Sequence, residues 1–325
     1  MLYHARAFWV RSPGVGEIRP VSFAGPDTGD VLVRTLFTAV SRGTETLVFS
    51  GAVPPGQRDV MRAPFQEGEF PGPVKYGYLN VGVVEEGPVA LRGRTVFCLY
   101  PHQTRYVVPS AAVSVVPDGV PASRAVLAGT VETAVNALWD APPLVGDRVT
   151  VVGAGMVGCT VAALLARFPG VRVQLVDIDP SRASVASALG VAFAMPGAAA
   201  GDQDLVFHAS TTEAGLTSCL DLVTADGTVV ELSWYGDQMV RVPLGGRFHS
   251  GRLRIRSSQV GTVSPARGYR YAHADRRALA LELLRDPAFD TLLTGASPFD
   301  ELPAVLESLA SGSRPALTHL ITYEA

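Results

Sequence analysis

The chain has 325 residues, of which 47% are hydrophobic and 18% are charged, and its formal net charge is −3. This length is sufficient for two domains that each have their own hydrophobic core. The small negative charge gives no electrostatic basis for binding nucleic acid or an anionic membrane, so we expect neither as a partner.

The first part of the chain, up to about residue 130, is predicted to be rich in β-structure. Short apolar runs between Gly and Pro turns indicate strands at 5–10, 30–37, 81–84, 94–99 and 103–108.

A polar segment rich in Pro and Gly, residues 52–73, separates two of these strands. A connection of that length in a compact domain is usually functional or disordered. Because the segment also contains Met61, Phe65 and Phe70, we expect a packed loop. Its aromatic content favours an apolar substrate.

A helix predicted at 122–139 leads to the central motif, a G-x-G-x-x-G pattern at Gly153, Gly155 and Gly158. The motif follows an apolar run at 149–152, which predicts a buried parallel strand, and precedes an apolar helix. The first glycine permits a tight turn, the second lets the backbone approach a pyrophosphate, and the third lets the helix pack on the strand. The pattern predicts dinucleotide binding at a helix N-terminus, and the same turn without a ligand is the alternative.

An acidic residue, Asp177, ends the next predicted strand at 171–176. A carboxylate about 20 residues after the glycine motif accepts hydrogen bonds from the adenosine ribose and repels a 2′-phosphate. We therefore expect NAD(H) to be preferred. NADP(H) stays possible because Arg182 lies nearby in the sequence and can offset the repulsion.

Strands predicted at 205–209, 227–234 and 253–260 alternate with helices, which indicates a doubly wound parallel sheet of the Rossmann type. The tail contains two predicted helices and a closing strand at 317–323, which we expect to return to the N-terminal domain. The predicted fold class is therefore α/β. Its predicted domains are a β-rich one at 1–130, completed by 263–325, and a dinucleotide-binding one at 131–262.

This order resembles the medium-chain dehydrogenase/reductase superfamily over essentially the whole chain. Besides the glycine motif, the resemblance is carried by SRGTE at 41–45, GYLNVG at 77–82, ETAVNAL at 132–138, SQVG at 258–261 and FDELP at 299–303. More narrowly, the strings PFQEG, KYGY, PHQT and SWYGD resemble a bacterial subgroup of zinc-type and bacteriochlorophyllide-dehydrogenase-like proteins. The resemblance implies a GroES-like N-terminal catalytic domain, a Rossmann domain and a nicotinamide cofactor.

The positions of the zinc ligands differ from the superfamily pattern. Zinc-dependent members have Cys-Gly-Thr-Asp where residues 42–45 read Arg-Gly-Thr-Glu, and Gly-His-Glu where residues 77–79 read Gly-Tyr-Leu. The third ligand position matches a residue near Gly129, and the four-cysteine lobe of structural zinc is missing. Because catalytic zinc needs three ligands from Cys, His, Asp and Glu, we expect no metal.

Without zinc, another group must donate or accept a proton, which tyrosine, histidine or a carboxylate can do. Tyr78 stands where the resemblance places a metal ligand, so it is one candidate; filling the space left by the metal is its alternative role. His102 lies on a Pro-flanked turn in the shortened lobe, and a histidine pKa near ~6.5 allows proton donation at neutral pH. An ordinary surface histidine is the alternative there.

Two carboxylates complete the catalytic candidates. Glu45 stands where the resemblance places a carboxylate behind the zinc ligands, and its alternative role is an ion pair with Arg42 or Lys75. Glu132 precedes Thr133, whose matched position contacts the nicotinamide. A partly buried carboxylate there is expected to have a raised pKa, with helix capping or ion pairing as the alternative.

Arg42 is expected to bind the cofactor pyrophosphate or a substrate anion. The candidate cofactor-binding residues are Arg42, Thr133, Gly153, Gly155, Met156, Val157, Gly158, Asp177, Arg182, Ala209, Ser210, Ser233 and Gln259.

These observations predict a zinc-independent NAD(P)(H)-dependent oxidoreductase that transfers hydride to or from a small or medium apolar molecule. A carbonyl, an alcohol, an imine and a conjugated alkene are all compatible substrates. A dinucleotide-binding sensor or partner module without catalysis remains an alternative, as does a redox-neutral epimerase that keeps its cofactor bound.

The remaining predictions concern assembly and location. The alternating pattern at 254–260 is typical of an edge strand that can pair across a two-fold axis, so we expect a homodimer. Cys98, Cys159 and Cys219 are scattered, and Cys98 and Cys159 lie in apolar contexts, which favours buried thiols. The sequence shows no signal peptide and no apolar run of membrane-spanning length, so we expect a cytoplasmic protein.

Overall fold

The computed structural model describes residues 2–324, which divide into two compact units. The first unit comprises 2–129, 281–285 and 293–324, and the second comprises 130–280 and 286–292. Part of the tail segment that we assigned to the first domain, residues 263–280 and 286–292, thus groups with the second unit. The physical reason is polar contact with Asn136, whose amide oxygen accepts hydrogen bonds from the Ser264 N–H and the Arg276 guanidinium.

The regular elements of residues 2–324 are numbered in chain order. The strands are β1 Leu2–Ser12, β2 Val15–Ala24, β3 Asp30–Val40, β4 Glu67–Gly68, β5 Val74–Lys75, β6 Asn80–Glu86, β7 Thr95–Cys98, β8 Arg105–Pro109, β9 Val113–Val115, β10 Arg148–Val152, β11 Arg172–Val176, β12 Ala192–Ala194, β13 Gln203–His208, β14 Val223–Glu231, β15 Arg254–Ser257, β16 Leu293–Pro298 and β17 Thr318–Thr322. The α-helices are α1 Thr44–Phe49, α2 Ala122–Ala125, α3 Ala128–Asp140, α4 Met156–Leu165, α5 Arg182–Leu189, α6 Glu213–Leu222, α7 His273–Leu283 and α8 Leu302–Ala310.

The first unit is built on a sheet with the strand order β16-β17-β3-β6-β7-β9, in which β8 also pairs with β3. Its core is apolar, with Val33 and Tyr106 fully buried. The expected return of the last strand to the N-terminal domain is confirmed, because Ile321 of β17 lies opposite Thr38 of β3.

A smaller sheet of the first unit, β2-β1-β5-β4, contains a strand that the sequence did not predict. Gly16 and Pro20 argue against a strand at β2. In the structure β2 is at the edge of the sheet, where Pro20 lies opposite Arg6. An edge position tolerates the missing proline N–H, and pairing along β1 outweighs the weak local propensity.

The segment 52–73 belongs to the first unit and is packed rather than open. Phe70 is buried with its ring centroid 5.6 Å from that of Tyr76, and the ring of Phe65 lies 5.3 Å from that of Tyr100. The predicted packing of this loop is therefore confirmed, and its contact with a substrate stays a prediction.

The second unit is a parallel sheet with the order β12-β11-β10-β13-β14-β15. Strand β10 is its centre, since Val149 pairs with Val173 on one side and with Leu205 on the other. The predicted fold class, α/β with a doubly wound Rossmann sheet and a β-rich N-terminal part, is confirmed. Strand order reverses at β10, and sheets of this kind bind ligands at the carboxyl ends of the strands beside such a reversal.

Strand β15 forms one edge of this sheet, as the sequence pattern predicted, and it is exposed along its length. Pairing of this edge with a second copy stays a prediction. All three cysteines are buried, as expected for Cys98 and Cys159. Within residues 2–324, none of the helices combines the length and the apolar character that crossing a membrane requires.

Candidate active site

The glycine motif forms a tight turn between β10 and α4. Gly153 has a φ of 105°, and a Cβ there would lie 2.6 Å from the Ser210 nitrogen. A Cβ on Gly158 would lie 1.8 Å from the Gly153 carbonyl oxygen. By contrast, a Cβ on Gly155 would meet nothing within 4 Å, and Gly155 is exposed. Gly153 and Gly158 thus close the turn, and Gly155 leaves open space in front of the N-terminus of α4.

Asp177 stands at the end of β11, beside this turn. One of its carboxylate oxygens accepts a hydrogen bond of 2.6 Å from the Ala154 N–H, and the other accepts one of 2.9 Å from the Asp179 N–H. Arg182 is paired with Asp179, at 3.3 Å from Nε to Oδ2. The negative group of this site is therefore fixed next to the glycine turn, and the nearby guanidinium is neutralised by a second carboxylate.

His208 lies at the carboxyl end of β13 and is fully buried. Its Nδ1 is 2.8 Å from Glu231 Oε2, and its Nε2 is 2.7 Å from the Ser210 hydroxyl. A Cβ on Gly215 would lie only 2.1 Å from that hydroxyl, so the glycine keeps the space that Ser210 occupies. The adjoining Thr211 has a φ of 56°, a strained backbone conformation for a β-branched residue.

The first unit contains a second buried polar chain. His102 is 1% exposed, and its Nε2 lies 2.7 Å from Oε2 of Glu45, which is 4% exposed. Its Nδ1 lies 2.6 Å from the Thr38 hydroxyl, which in turn lies 3.0 Å from the Tyr323 hydroxyl. Glu45 also accepts a 2.9 Å hydrogen bond from the Ser41 N–H. His102 is therefore the partner of Glu45, in place of the expected Arg42 or Lys75, and it is not a surface histidine.

Tyr78 lies beside this chain and is half-buried. Burial, together with the charge of Glu45, raises the pKa of its phenol to about 12, although hydrogen bonds from Ser41 and Thr44 oppose the rise. Tyr78 thus keeps its proton across the neutral range and shares Ser41 as a neighbour with Glu45.

Glu132 occupies a different environment from the one expected of a proton donor. Its carboxylate is 4% exposed and lies 3.1 Å from Nε of Arg276, which is 1% exposed. Burial raises the pKa of Glu132, and the charges of Arg276 and Arg277 oppose the rise. Arg276 also donates to the backbone oxygens of Val260 and Thr262, so this ion pair ties α7 and the segment after β15 to α3.

The structure also places the other predicted cofactor residues. Arg42 and Gln259 are exposed, Thr133, Val157, Ala209, Ser210 and Ser233 are half-buried, and Met156 is buried with its sulfur 3.4 Å from the Thr130 hydroxyl. The Ser233 hydroxyl accepts a hydrogen bond from the Thr211 N–H, which joins Ser233 to the strained turn that follows β13.

Known structures share this architecture. L-Idonate 5-dehydrogenase from Escherichia coli is 15% identical to this chain and superposes with a TM-score of 0.80, with 99% of each chain covered. A protein described as a zinc-binding dehydrogenase from Sinorhizobium meliloti, bound to NADP, is 17% identical with a TM-score of 0.77, over 98% of this chain and 99% of its own. A protein described as a short chain alcohol dehydrogenase from Escherichia coli CFT073, complexed with NADH, is 16% identical with a TM-score of 0.76 and the same coverage.

This chain has the medium-chain dehydrogenase/reductase fold. No protein-family model matches the chain, and no curated protein sequence is significantly similar to it. At these identities, the likeness to the solved structures concerns the fold.

The sequence resemblance matches the zinc-ligand positions of this fold to residues 42–45, residues 77–79 and Gly129. Arg42 is exposed, and a Cβ on Gly129 would lie 2.5 Å from Leu79 Cδ2, so a larger side chain there requires Leu79 to shift. Two side chains of a type that binds zinc, Glu45 and His102, are hydrogen-bonded to each other. Within residues 2–324, no three His, Cys, Asp or Glu side chains form a group suited to a metal ion. At the matched positions the chain has Arg42, Tyr78 and Gly129, which are not among the usual zinc ligands.

Four residues of these hydrogen-bonded groups were not identified from the sequence: Thr38, Tyr323, Glu231 and Arg276. Their contacts link strands and helices that are far apart in the sequence, and none lies in a recognisable motif. A weak signal existed for Glu231, because it ends a core strand next to the one that His208 ends.

Proposed function

We propose that the protein is a nicotinamide-dependent oxidoreductase in which tyrosine and a buried histidine–glutamate pair, rather than zinc, manage the proton. The observation that carries the proposal is the pairing of two features in one chain. The second unit has a tight glycine turn with Asp177 beside it. The first unit has a hydrogen-bonded pair, Glu45 and His102, beside the half-buried phenol of Tyr78.

The second unit supplies the residues that would hold the dinucleotide. The open space at Gly155 and the free N–H groups that begin α4 suit a pyrophosphate. Asp177 would accept from ribose hydroxyls, and its charge would disfavour a 2′-phosphate, while Arg182 is engaged by Asp179. We therefore propose that NAD(H) binds more tightly than NADP(H). When bound, the nicotinamide ring supplies or accepts the hydride.

The first unit supplies the proton. Tyr78 is half-buried, its pKa is raised to about 12, and it is flanked by the hydroxyls of Ser41 and Thr44. A phenol that stays protonated at neutral pH can give its proton to an alkoxide, and the two hydroxyls would stabilise the phenolate that remains. Glu45 accepts a hydrogen bond from the backbone N–H of Ser41 and is fixed by His102.

His102 itself is proposed to act behind Tyr78 rather than on the substrate. Both of its ring nitrogens are engaged, and the ring is 1% exposed. Glu132 is proposed as a structural residue, because Arg276 neutralises it within the second unit.

The substrate class stays the one that the sequence indicated, a small or medium apolar carbonyl compound or the corresponding alcohol, imine or conjugated alkene. Support comes from the packed aromatic segment 52–73 in the unit that carries Tyr78. Apolar and aromatic walls with a few polar groups are typical of sites for such molecules.

The test has two steps on the purified full chain. First, NADH and NADPH are titrated separately, with quenching of intrinsic fluorescence as the readout; tighter NADPH binding would overturn the assignment of Asp177. Second, oxidation of NADH is followed with a panel of aromatic aldehydes, cyclic ketones, enones and imines.

The expected result is turnover of at least one class in the panel without added metal. Tight NADH binding with no turnover anywhere in the panel would contradict the proposal and favour the non-catalytic module. Absence of binding by either cofactor would contradict the nucleotide site itself.

A further inference from the structure

The buried chain of the first unit does not end at His102. It continues from His102 Nδ1 through the Thr38 hydroxyl, 2.6 Å away, to the Tyr323 hydroxyl, 3.0 Å further. Thr38 is fully buried, whereas Tyr323 is half-buried and lines a surface cavity of about 290 Å³. We propose that Tyr323, Thr38, His102 and Glu45 form a proton relay between this cavity and the surroundings of Tyr78. This role deepens the proposed function and rests on it.

The hydrogen-bond directions are consistent along the whole chain. With Glu45 ionised and the imidazole neutral, Nε2–H of His102 must donate to Glu45 Oε2, because a carboxylate only accepts. Nδ1 then accepts from the Thr38 hydroxyl, and Thr38, having used its only proton, accepts from the Tyr323 hydroxyl. Every donor therefore has one acceptor, which is the arrangement that a relay requires.

One proton moves per passage. An acid in the cavity, such as hydronium or a buffer acid, gives a proton to the Tyr323 oxygen while Tyr323 passes its own proton to Thr38. The hydroxyl proton of Thr38 goes to His102 Nδ1, and the Nε2 proton goes to Glu45 Oε2. The net change is one proton lost by the acid in the cavity and one gained by Glu45, after which the imidazole has exchanged its tautomer.

The inner end of the relay lies next to the proposed proton donor. Ser41 contacts both sides, since its N–H binds Glu45 Oε1 and its hydroxyl is bonded to Tyr78. The relay thus ends on Glu45, and Ser41 lies between Glu45 and Tyr78, the group that must be reprotonated after it has acted.

The outer end is held in place by packing. The ring of Tyr323 stacks on Phe299 with centroids 4.8 Å apart, and its N–H donates to the Leu36 carbonyl. Arg6 pairs with Asp300 over the same ring of Phe299. The cavity is lined by Arg6, Thr104, Phe299, Asp300, Tyr323 and Glu324.

Several charged groups face this chain. Glu45 lies at its inner end, and Arg6, Asp300 and Glu324 surround the cavity. Burial raises the pKa of Tyr323 and the charge of Glu45 raises it further, although the hydrogen bond with Thr38 opposes the rise. Tyr323 therefore gives up its proton only as it receives another, which suits a concerted passage.

The relay can be tested without cofactor or substrate, so its failure is distinct from failure of the proposed function. In protein with ¹⁵N-labelled histidine, exchange of the His102 ring N–H with D₂O is followed by NMR, with His102→Gln used for assignment. If the chain is the path from solvent to this ring, Thr38→Val and Tyr323→Phe each slow the exchange about tenfold or more. Thr38→Ser keeps the hydroxyl and retains the original rate.

Two matched variants control for loss of a buried hydroxyl. Thr35→Val removes a buried threonine hydroxyl of the same strand that donates to the Gln103 carbonyl, and Tyr106→Phe removes a buried phenol bonded to Asn80. Both should leave the exchange rate within about twofold of the original. Unchanged or faster exchange in Thr38→Val and Tyr323→Phe would overturn the relay, and so would equal slowing in the two control variants.

A kinetic readout follows where turnover is found. With NADH and p-nitrobenzaldehyde as the probe, Tyr323→Phe should lower kcat about tenfold, leave KM unchanged and raise the solvent isotope effect. Equal kcat and an equal isotope effect would contradict a role of the relay in catalysis.

Discussion

Two buried histidine–glutamate pairs, one in each unit, share a common plan. In both, the imidazole is fully or almost fully buried, one ring nitrogen contacts a carboxylate and the other contacts a hydroxyl. His102 lies 2.7 Å from Glu45 and 2.6 Å from Thr38. His208 lies 2.8 Å from Glu231 and 2.7 Å from Ser210.

The two pairs differ in the nitrogen that meets the carboxylate and in the exposure of their ends. His102 contacts its glutamate through Nε2, and both Glu45 and Thr38 are buried. His208 contacts its glutamate through Nδ1, the side chain of Glu231 is 14% exposed, and Ser210 is half-buried. The first arrangement runs through the interior, and the second has partly exposed groups at both ends and lies at the carboxyl end of a Rossmann strand.

The difference shows that the same pair of residues can be built into two settings, which are distinguished by the burial of the groups at its ends. A buried hydroxyl extends the chain to a further group, as Thr38 does to Tyr323. The half-buried Ser210 hydroxyl instead lies 2.9 Å from the hydroxyl of Thr212, the N-cap residue of α6. Each of the following measurements addresses one side of this comparison.

The largest effect is expected on stability, from His102→Ala. The variant leaves the 4% exposed Glu45 without its charged or polar side-chain partner, with only the Ser41 N–H as donor. Breaking a buried pair in this way costs about 3–5 kcal/mol of the free energy of unfolding. Chemical denaturation measures the loss. The same substitution at His208 should cost less, because Glu231 is partly exposed and also accepts from the Ser233 N–H and Tyr235 hydroxyl. Equal losses would remove the distinction between the pairs.

A smaller effect, on catalysis rather than folding, is expected from Tyr78→Phe. This change removes only the hydroxyl, so kcat should fall about 10²-fold while the Kd for NADH stays unchanged. Fluorescence titration and NADH oxidation on the same preparation separate the two quantities. Full turnover in this variant would place the proton donor elsewhere.

The pH dependence follows from the direction of the Tyr78 shift. The phenol donates in its neutral form, and its raised pKa of about 12 keeps that form present across the neutral and mildly alkaline range. Loss of kcat through ionisation of Tyr78 should therefore begin only as the pH approaches about 12, above the ordinary value for tyrosine. A pH–rate profile that falls with an apparent pKa near or below ~10 would contradict this assignment.

A weaker effect is expected on cofactor affinity from Ser210→Ala. If the second pair directs the Ser210 hydroxyl toward a ligand, its loss should raise the Kd for NADH about tenfold, the cost of one good hydrogen bond. Ser187→Ala offers a control, because Ser187 is an exposed serine of α5 in the same unit. An equal Kd for NADH in both variants would mean that Glu231, His208 and Ser210 have only a structural role.

The smallest effect is expected from removing or adding metal. Since Glu45 and His102 are hydrogen-bonded to each other, we expect neither to bind a metal, and a chelator or added zinc should change kcat by no more than about twofold. Elemental analysis before and after chelation, with turnover measured alongside, provides the check. Near-stoichiometric zinc that tracks activity would show that the first pair separates to bind a cation.

The parts of the molecule that could be predicted from sequence are those set by local patterns. Gly153, Gly155 and Gly158 indicated the dinucleotide turn because each has a separate steric reason to be glycine. The parallel sheet followed from alternating apolar strands and helices. Strand β2 was missed because Gly16 and Pro20 weaken its local signal, and pairing along β1 decided it.

The candidate site was only partly predictable, for a physical reason. Tyr78, His102 and Glu45 stood out by residue type and by resemblance, but their partners did not. Thr38 and Tyr323 are 285 residues apart in the chain, and Glu132 and Arg276 are 144 apart. Such contacts depend on strand register and helix placement, which no short segment specifies.

The position of β17 next to β3 also has a consequence for how the molecule is made. Its pairing partner is among the first strands to be synthesised, and β17 is the last. The second unit consists almost entirely of the continuous stretch 130–280, so it can fold while synthesis continues. The sheet of the first unit must wait for β17, and with it for Tyr323. The nascent chain therefore exposes one edge of β3 until the last strand arrives, and the polar chain that runs through His102 is completed only then.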